Sequence, residues 1–324
     1  MRAGATRRAV VRHGAAAMVV AGIPRVARAA TRLAVAKVAA DFALVMGDFG
    51  QKLGIPQRHG LDLEIVQITQ AKMVQAVVAG SIDVALAGGA TLAFAAKGAP
   101  LKAVAALSGP PAILVLIVRP DGPVATPGDL RGRTVAVTNV GSLTDWAVSQ
   151  IAASRGWDLS DIRRVGVGDT PARVAALRTS AVDAAVIDLA AALDREERGM
   201  AKILLNFGDL ITTFHNQIIF ASDAAIAAKP DAVRAFVTGW FETLAYARAH
   251  KPETVAFAEE ALGVRASVAA KVYDQLMGSG FFSPNGAIDP AILAAMSKSF
   301  VELKLLPTEQ PLAQYVTDRF LPQK

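Results

Sequence analysis

Gly80-Ser81-Ile82-Asp83-Val84-Ala85-Leu86-Ala87-Gly88-Gly89-Ala90-Thr91 is the stretch from which the fold can be read. Upstream of it, Ala71 to Gly80 places Met73, Val74, Val77 and Val78 on one face at helical spacing, and the glycine closes that helix. Asp83 to Ala87 then runs apolar at every position after the aspartate, which is strand length rather than helix length. Gly88-Gly89 before Thr91 supplies a tight turn into the next helix. A short strand with no polar face is buried on both sides, as in a parallel sheet covered by helices.

The same rhythm extends in both directions. Leu33 to Val38 and Leu63 to Ile68 precede the stretch as apolar runs, and Leu101 to Leu107 follows it. After Pro110-Pro111 comes the very apolar run Ala112 to Val118, and then a polar turn region, Asp121 to Asp129. The pattern then restarts with strands predicted at 134–138, 164–168, 184–189 and 202–207, and helices over 142–155 and after Thr170-Pro171. Gln217 to Ala221 is one more apolar strand. Beyond it the spacing predicts helices over 231–250, 253–262, 266–277 and 290–303. The expected architecture is α/β, with two Rossmann-like lobes joined by a two-strand hinge. Residues 30–115 and 222–324 make a discontinuous lobe I and residues 116–221 make lobe II, the hinge strands lying near 113–118 and 217–221. No internal repeat is read.

Hydrophobic residues make up 53% of the 324. No uninterrupted apolar run reaches the roughly 18 residues of a spanning helix, so the apolarity is assigned to buried strands and alanine-rich helices of a soluble protein. Residues 1–29 differ from the rest: Arg2, Arg7, Arg8 and Arg12, then the apolar Gly14 to Ile23, then Ala27-Arg28-Ala29. This is the pattern of a cleavable secretory signal, with cleavage expected after Ala29 and the route, Tat or Sec, left open. The segment carries six arginines and no acid, and without it the chain holds 28 basic and 28 acidic groups. A nucleic-acid partner, which needs clustered surplus cations, is thereby excluded. The chain has no cysteine. Disulfides, thiolate metal sites and a cysteine nucleophile are excluded, as is a lipid anchor on a cysteine after the signal. The expected location is the periplasm, as a free protein.

In open α/β sheets ligands sit beyond the carboxyl ends of strands. Three loops occupy such places. They contain Asp41 and Phe42; Gly89, Ala90 and Thr91; and Asn139, Gly141, Ser142, Leu143 and Thr144. Ser142 and Asp145 have capping-box spacing, which puts Gly141 and Ser142 at the positive end of a helix with backbone N–H groups able to take an anion; simple capping fits the same spacing. Asp188 at a strand end, and His215 and Asn216 before the return strand, complete the candidate ligand-binding set, each equally compatible with a structural role. Trp146 is read as either a stacking platform or core. No catalytic residue, metal ligand or cofactor motif is identified. No Arg or Lys falls in these loops, so an anion would rest on helix N-termini and the hydroxyls of Thr91, Ser142 and Thr144, and a neutral or aromatic ligand stays open.

Gly80-Ser81-Ile82-Asp83-Val84, Lys97-Gly98-Ala99-Pro100, Asp129-Leu130-Arg131-Gly132-Arg133-Thr134-Val135-Ala136-Val137 and Gly141-Ser142-Leu143-Thr144-Asp145-Trp146 together carry a resemblance. In order and spacing the chain resembles the NMT1-like, nitrate/sulfonate/taurine group of ABC-transporter substrate-binding proteins. The resemblance implies a type II periplasmic-binding-protein fold, a monomer that closes on a small organic or inorganic anion, and partnership with an ABC permease and its ATPase. It touches the membrane only through that permease. Two alternatives stay open: an enzyme like the thiamine-pyrimidine-synthesis proteins, whose cysteine-rich motif this chain lacks, and a binding protein that feeds a sensor kinase.

Overall fold

The computed structural model describes residues 30–322, with Met1. The expected signal, residues 1–29 with cleavage after Ala29, lies outside the described residues except for Met1. The chain begins with β1 (Thr31–Lys37), α1 (Met46–Lys52), α2 (Ile55–Arg58), β2 (Leu61–Gln67), α3 (Gln70–Val78), β3 (Val84–Gly88), α4 (Thr91–Ala96) and β4 (Leu101–Ser108). It continues with β5 (Leu114–Val118), β6 (Thr134–Val137), α5 (Leu143–Ser154), β7 (Arg163–Gly166), α6 (Thr170–Arg178), β8 (Ala184–Asp188), α7 (Leu189–Glu197), β9 (Lys202–Asn206) and α8 (Phe207–Leu210). The last part is β10 (Gln217–Ser222), α9 (Asp223–Ala228), α10 (Pro230–Ala249), α11 (Lys251–Leu262), α12 (Ala266–Gly278) and α13 (Pro290–Glu302).

Two five-stranded sheets form, in the orders β2-β1-β3-β10-β4 and β7-β6-β8-β5-β9. In each, one strand runs against its neighbours: β10 in the first and β5 in the second. Val115, Leu116 and Ile117 have no exposed surface, the burial on both faces that their unbroken apolarity foretold. Among the described residues, no helix is long and apolar enough to cross a membrane.

The expected lobe boundaries need correction. β10 pairs with β3 and β4, so residues 217–221 belong to the first sheet and not to lobe II. Leu114 and Val115, expected in lobe I, pair with Asp188 and Ile187 in the second sheet. The chain passes between sheets in 109–113 and 211–216, outside the strands. Pro110 and Pro111 have no N–H to give a ladder, which fixes the first passage as irregular.

The two sheets also repeat one device at a spacing of 100 residues, which the sequence reading missed. Asp83 Oδ2 accepts the amide of Ala34 at 2.9 Å, and Asp183 Oδ2 accepts that of Thr134 at 2.9 Å. Each aspartate returns its own amide to the carbonyl of the same residue, at 2.9 and 2.8 Å. Before them, α3 and α6 end alike, on a left-handed residue: Gly80 at φ 72° and Ser180 at φ 61°.

The lobes touch beyond the two passages. α12, from the C-terminal part, packs on α7 of the second sheet. Leu189 and Leu193 join Phe42, Tyr273 and Leu276 in one apolar cluster. Around it, Glu197 accepts bonds from Lys271 at 2.7 Å, Ser267 at 2.9 Å and Arg265 at 3.1 Å, and Arg265 also reaches Asp194 at 3.1 Å.

Candidate functional site

Between the sheets lies a cleft of two adjoining chambers, ≈ 290 and ≈ 500 Å³, which share Val38, Ala39, Asp41, Ile113, Leu114, Thr138 and Thr144. This is the size range of small-molecule sites. Both lobes contribute. The first gives the turn after β1 and the start of β10; the second gives the turns after β6, β7 and β8.

Of the residues predicted from sequence, the cleft brings together Asp41, Ser142, Leu143, Thr144, Asp188 and Asn216. The others sit elsewhere. Phe42 is 1% exposed and packs against Tyr273 and Phe282 in the core. Gly89 is required for close approach, since a Cβ there would stand 2.1 Å from the carbonyl oxygen of His215. Ala90 precedes α4 outside the cleft wall, and Thr91 is fully buried with its hydroxyl unpartnered. Asn139 is exposed beyond the cleft. Gly141 supplies a φ of 83° that a side chain would resist. His215 is buried, which lowers its pKa against the opposing pull of Asp289, and its Nε2 accepts the amide of Asp289. Trp146 is core, its ring 4.8 Å from that of Phe214.

The N-terminus of α5 differs from the expectation in one respect. The Gly141 amide donates to Asp145 Oδ2 at 2.8 Å and the Ser142 amide to the Asn139 carbonyl at 3.1 Å. Neither is free. Ser142 Oγ caps the helix by accepting the amide of Asp145. The amides of Leu143 and Thr144, the first two of the helix, have no carbonyl one turn behind them, and both residues line the cleft. α6 and α7 also begin at the cleft, but Asp169 and Asp188 cap them, so their positive ends already face a carboxylate. Of the three second-lobe helices that begin at the cleft, α5 has the neutral cap; in the first lobe α3, which starts at Gln70 in the cleft wall, follows the neutral Thr69.

The sequence reading placed no cation in the ligand loops. The structure puts Arg173 in the cleft wall, 6% exposed. Its Nη1 donates to Thr138 Oγ1 at 2.7 Å and its Nη2 to Thr170 Oγ1 at 3.0 Å, while Nε has no partner. Thr144 Oγ1 donates to Thr138 Oγ1 at 3.2 Å and meets Ser142 Oγ at 2.9 Å, so a chain of hydroxyls joins the guanidinium to the α5 N-terminus. Burial lowers the Arg173 pKa, partly offset by Asp188 and Asp169. At the 100-residue spacing Arg173 corresponds to Met73, which is fully buried in the first lobe. An apolar side chain satisfies that position there. A guanidinium in its place costs desolvation; its direct partners are hydroxyls, and the charges of Asp188 and Asp169 offset that cost only in part.

Gln70 and Gln217 also line the cleft and were not anticipated. Gln217 Nε2 donates to Asp41 Oδ2 at 2.7 Å, and the Ala43 and Leu44 amides donate to Oδ1. Burial raises the Asp41 pKa to about 6, with Asp188 adding to the rise.

A model of the family described as NMT1/THI5 like matches residues 49–254. No curated protein matches the sequence. Among solved structures, the chain resembles the alkanesulfonate-binding protein SsuA from Xanthomonas axonopodis pv. citri bound to MOPS, with TM-score 0.75 and 21% identity over 89% of this chain and 98% of that one. It resembles the periplasmic aliphatic sulphonate binding protein SsuA from Escherichia coli with TM-score 0.73 and 22% identity over 90% and 92%. The desulfurization enzyme DSZB matches with TM-score 0.62 and 16% identity over 90% and 97%. At such identities the likeness is one of fold, a periplasmic-binding-protein fold that binders and an enzyme share.

Proposed function

Because the chain belongs to the NMT1/THI5-like family, we propose that it is an extracytoplasmic solute-binding protein that captures a small organic anion by closing its two lobes, without transforming it. The observation that carries this reading is the buried Arg173, joined through Thr138 and Thr144 to the uncapped amides of α5 on the wall of the inter-lobe cleft. Such an arrangement holds a sulfonate or carboxylate by charge-assisted bonds and by the positive helix end. Apolar Val38, Ala39, Ile113 and Leu114 line the shared middle of the cleft, where an alkyl or aromatic body would lie. An ABC permease with its ATPase receives the ligand in this reading, and the periplasm is where the exchange takes place.

The test is a thermal-shift screen of the purified protein against alkanesulfonates, aminosulfonates, carboxylates, nitrate and neutral pyrimidines. Ligand at ~100 times its dissociation constant stabilises the folded state by about 2.7 kcal/mol, a plain shift in Tm. A saturable shift with organic anions supports the reading; a shift with neutral compounds alone refutes it.

A further inference from the structure

Behind the first turn of α5 stands a buried charge pair that the cleft does not include. Asp145, the third residue of the helix, accepts the Gly141 amide on Oδ2 at 2.8 Å and Arg164 Nη1 on Oδ1 at 2.9 Å. Arg164 comes from β7, and neither residue lines the cleft. Its Nε is buried without a partner, and its side chain bonds to Asp145 alone among the described residues. A buried pair so sparsely bonded is no gain in stability over apolar packing. The first lobe builds the same corner from apolar residues. The aspartate device matches Ala34 with Thr134, so Val35 corresponds to Val135; Val35 pairs with Ile65 where Val135 pairs with Arg164. After β1 the Leu44 amide donates to Asp41, three residues back, as after β6 the Asp145 amide donates to Ser142. Leu44 and Ile65 belong to one apolar cluster. The lobe whose turn is closed by a carboxylate therefore has no charge behind it, whereas the lobe with the neutral Ser142 has a carboxylate behind it and a guanidinium to cover it. Arg173 acts on other acids, Asp188 and Asp169. Without Arg164, the full charge of Asp145 would sit in the first turn and repel an anion at the Leu143 and Thr144 amides.

We infer that Arg164 is a positioning residue for the anion: it cancels the Asp145 charge behind the α5 N-terminus while Asp145 ties down the Gly141 turn, so the helix end stays attractive to a ligand that neither residue touches. The inference rests on the anion-capture reading above and extends it to a layer outside the cleft wall.

Titration calorimetry of the full protein with 1-propanesulfonate, acetate and nitrate tests it, because cancellation of charge predicts effects of opposite sign. Arg164→Gln weakens binding about fivefold and Asp145→Asn strengthens it by a like factor, the scale of one charge at a helix end. The two substitutions together return the affinity to within about twofold of the unmutated protein, since both charges are gone and asparagine keeps an oxygen for the Gly141 amide. Arg164→Lys, which keeps the charge, binds nearly as the unmutated protein does. A pair that only shapes the turn would weaken binding in Arg164→Gln, in Asp145→Asn and in the double variant alike; that result, or unchanged affinity in all of them, overturns the inference and leaves anion capture standing. Should Arg164→Gln fail to fold, the double variant decides: weak binding by that folded protein overturns the inference, and unmutated affinity with tighter binding by Asp145→Asn upholds it. If the unmutated protein binds none of the three anions, anion capture falls and the inference with it.

Discussion

Arg173 is the residue on which the site turns. It occupies a position where the first lobe uses the buried Met73, so the lobe could pack without a charge there. Arg173→Met should therefore leave the Tm of the unliganded protein unchanged or raise it, since replacing a buried ion by an apolar side chain is commonly neutral or stabilising. Anion affinity should fall about tenfold or more, in keeping with the ~1.5–3 kcal/mol of a hydrogen bond to a charged group. Titration and melting of the same variant check both halves; lost stability with intact affinity would make Arg173 structural. The residue is not legible from loop positions, because Arg173 lies one turn into α6 and reaches the cleft from within the helix. Thr91 shows the opposite error. A threonine after Gly88-Gly89 looked like a ligand contact, but it is the first residue of α4 and has no exposed surface.

At the scale of elements, the three second-lobe helices that begin at the cleft, α5, α6 and α7, share a geometry and differ in their caps. Ser142→Asp would give α5 the carboxylate cap that α6 and α7 already have, so the helix should stay as stable, because serine and aspartate cap equally well. The anion should be lost by about a hundredfold, as charge repulsion replaces attraction at one helix end. Unaltered affinity in a calorimetric titration would show that the α5 N-terminus is not the anion's seat. The paired ends of α3 and α6 lead to a stability test. Ser180 holds a left-handed backbone that Gly80 adopts freely in the first lobe, so Ser180→Gly should stabilise by about 1 kcal/mol, read from the denaturant midpoint. The strands and the long helices after Gln217 were legible because their apolar spacing states which face is buried. α1 was not, and the reason is physical. Met46–Lys52 contains Gly47 and Gly50, poor helix formers that let the helix press against α10; a Cβ on Gly50 would stand 2.5 Å from Thr243 Oγ1. Nor does local pattern reveal that β10 sits in the first sheet, since strand partners are chosen by tertiary packing.

For the whole molecule, the α7–α12 contact makes the lobes less independent than two passages alone would. Glu197 is its centre, and paired donors hold its carboxyl below the usual range. Glu197→Gln should widen the distribution of lobe separations. The chain has no cysteine, so spin labels on Val78→Cys and Val140→Cys, exposed sites on the two lobes, can report that distance by pulsed resonance. An unbroadened distribution would show that apolar packing alone sets the arrangement. The position of β10 also bears on how the polypeptide is made. Because β10 lies between β3 and β4, the first sheet stays split into β2-β1-β3 and a lone β4 until residue 222 has been synthesised, while the second comes from an uninterrupted stretch. The inserted half can therefore mature first, with the amino-terminal half held open and its apolar strands uncovered until the chain returns. In that interval the newborn chain is most exposed to aggregation and most in need of a chaperone.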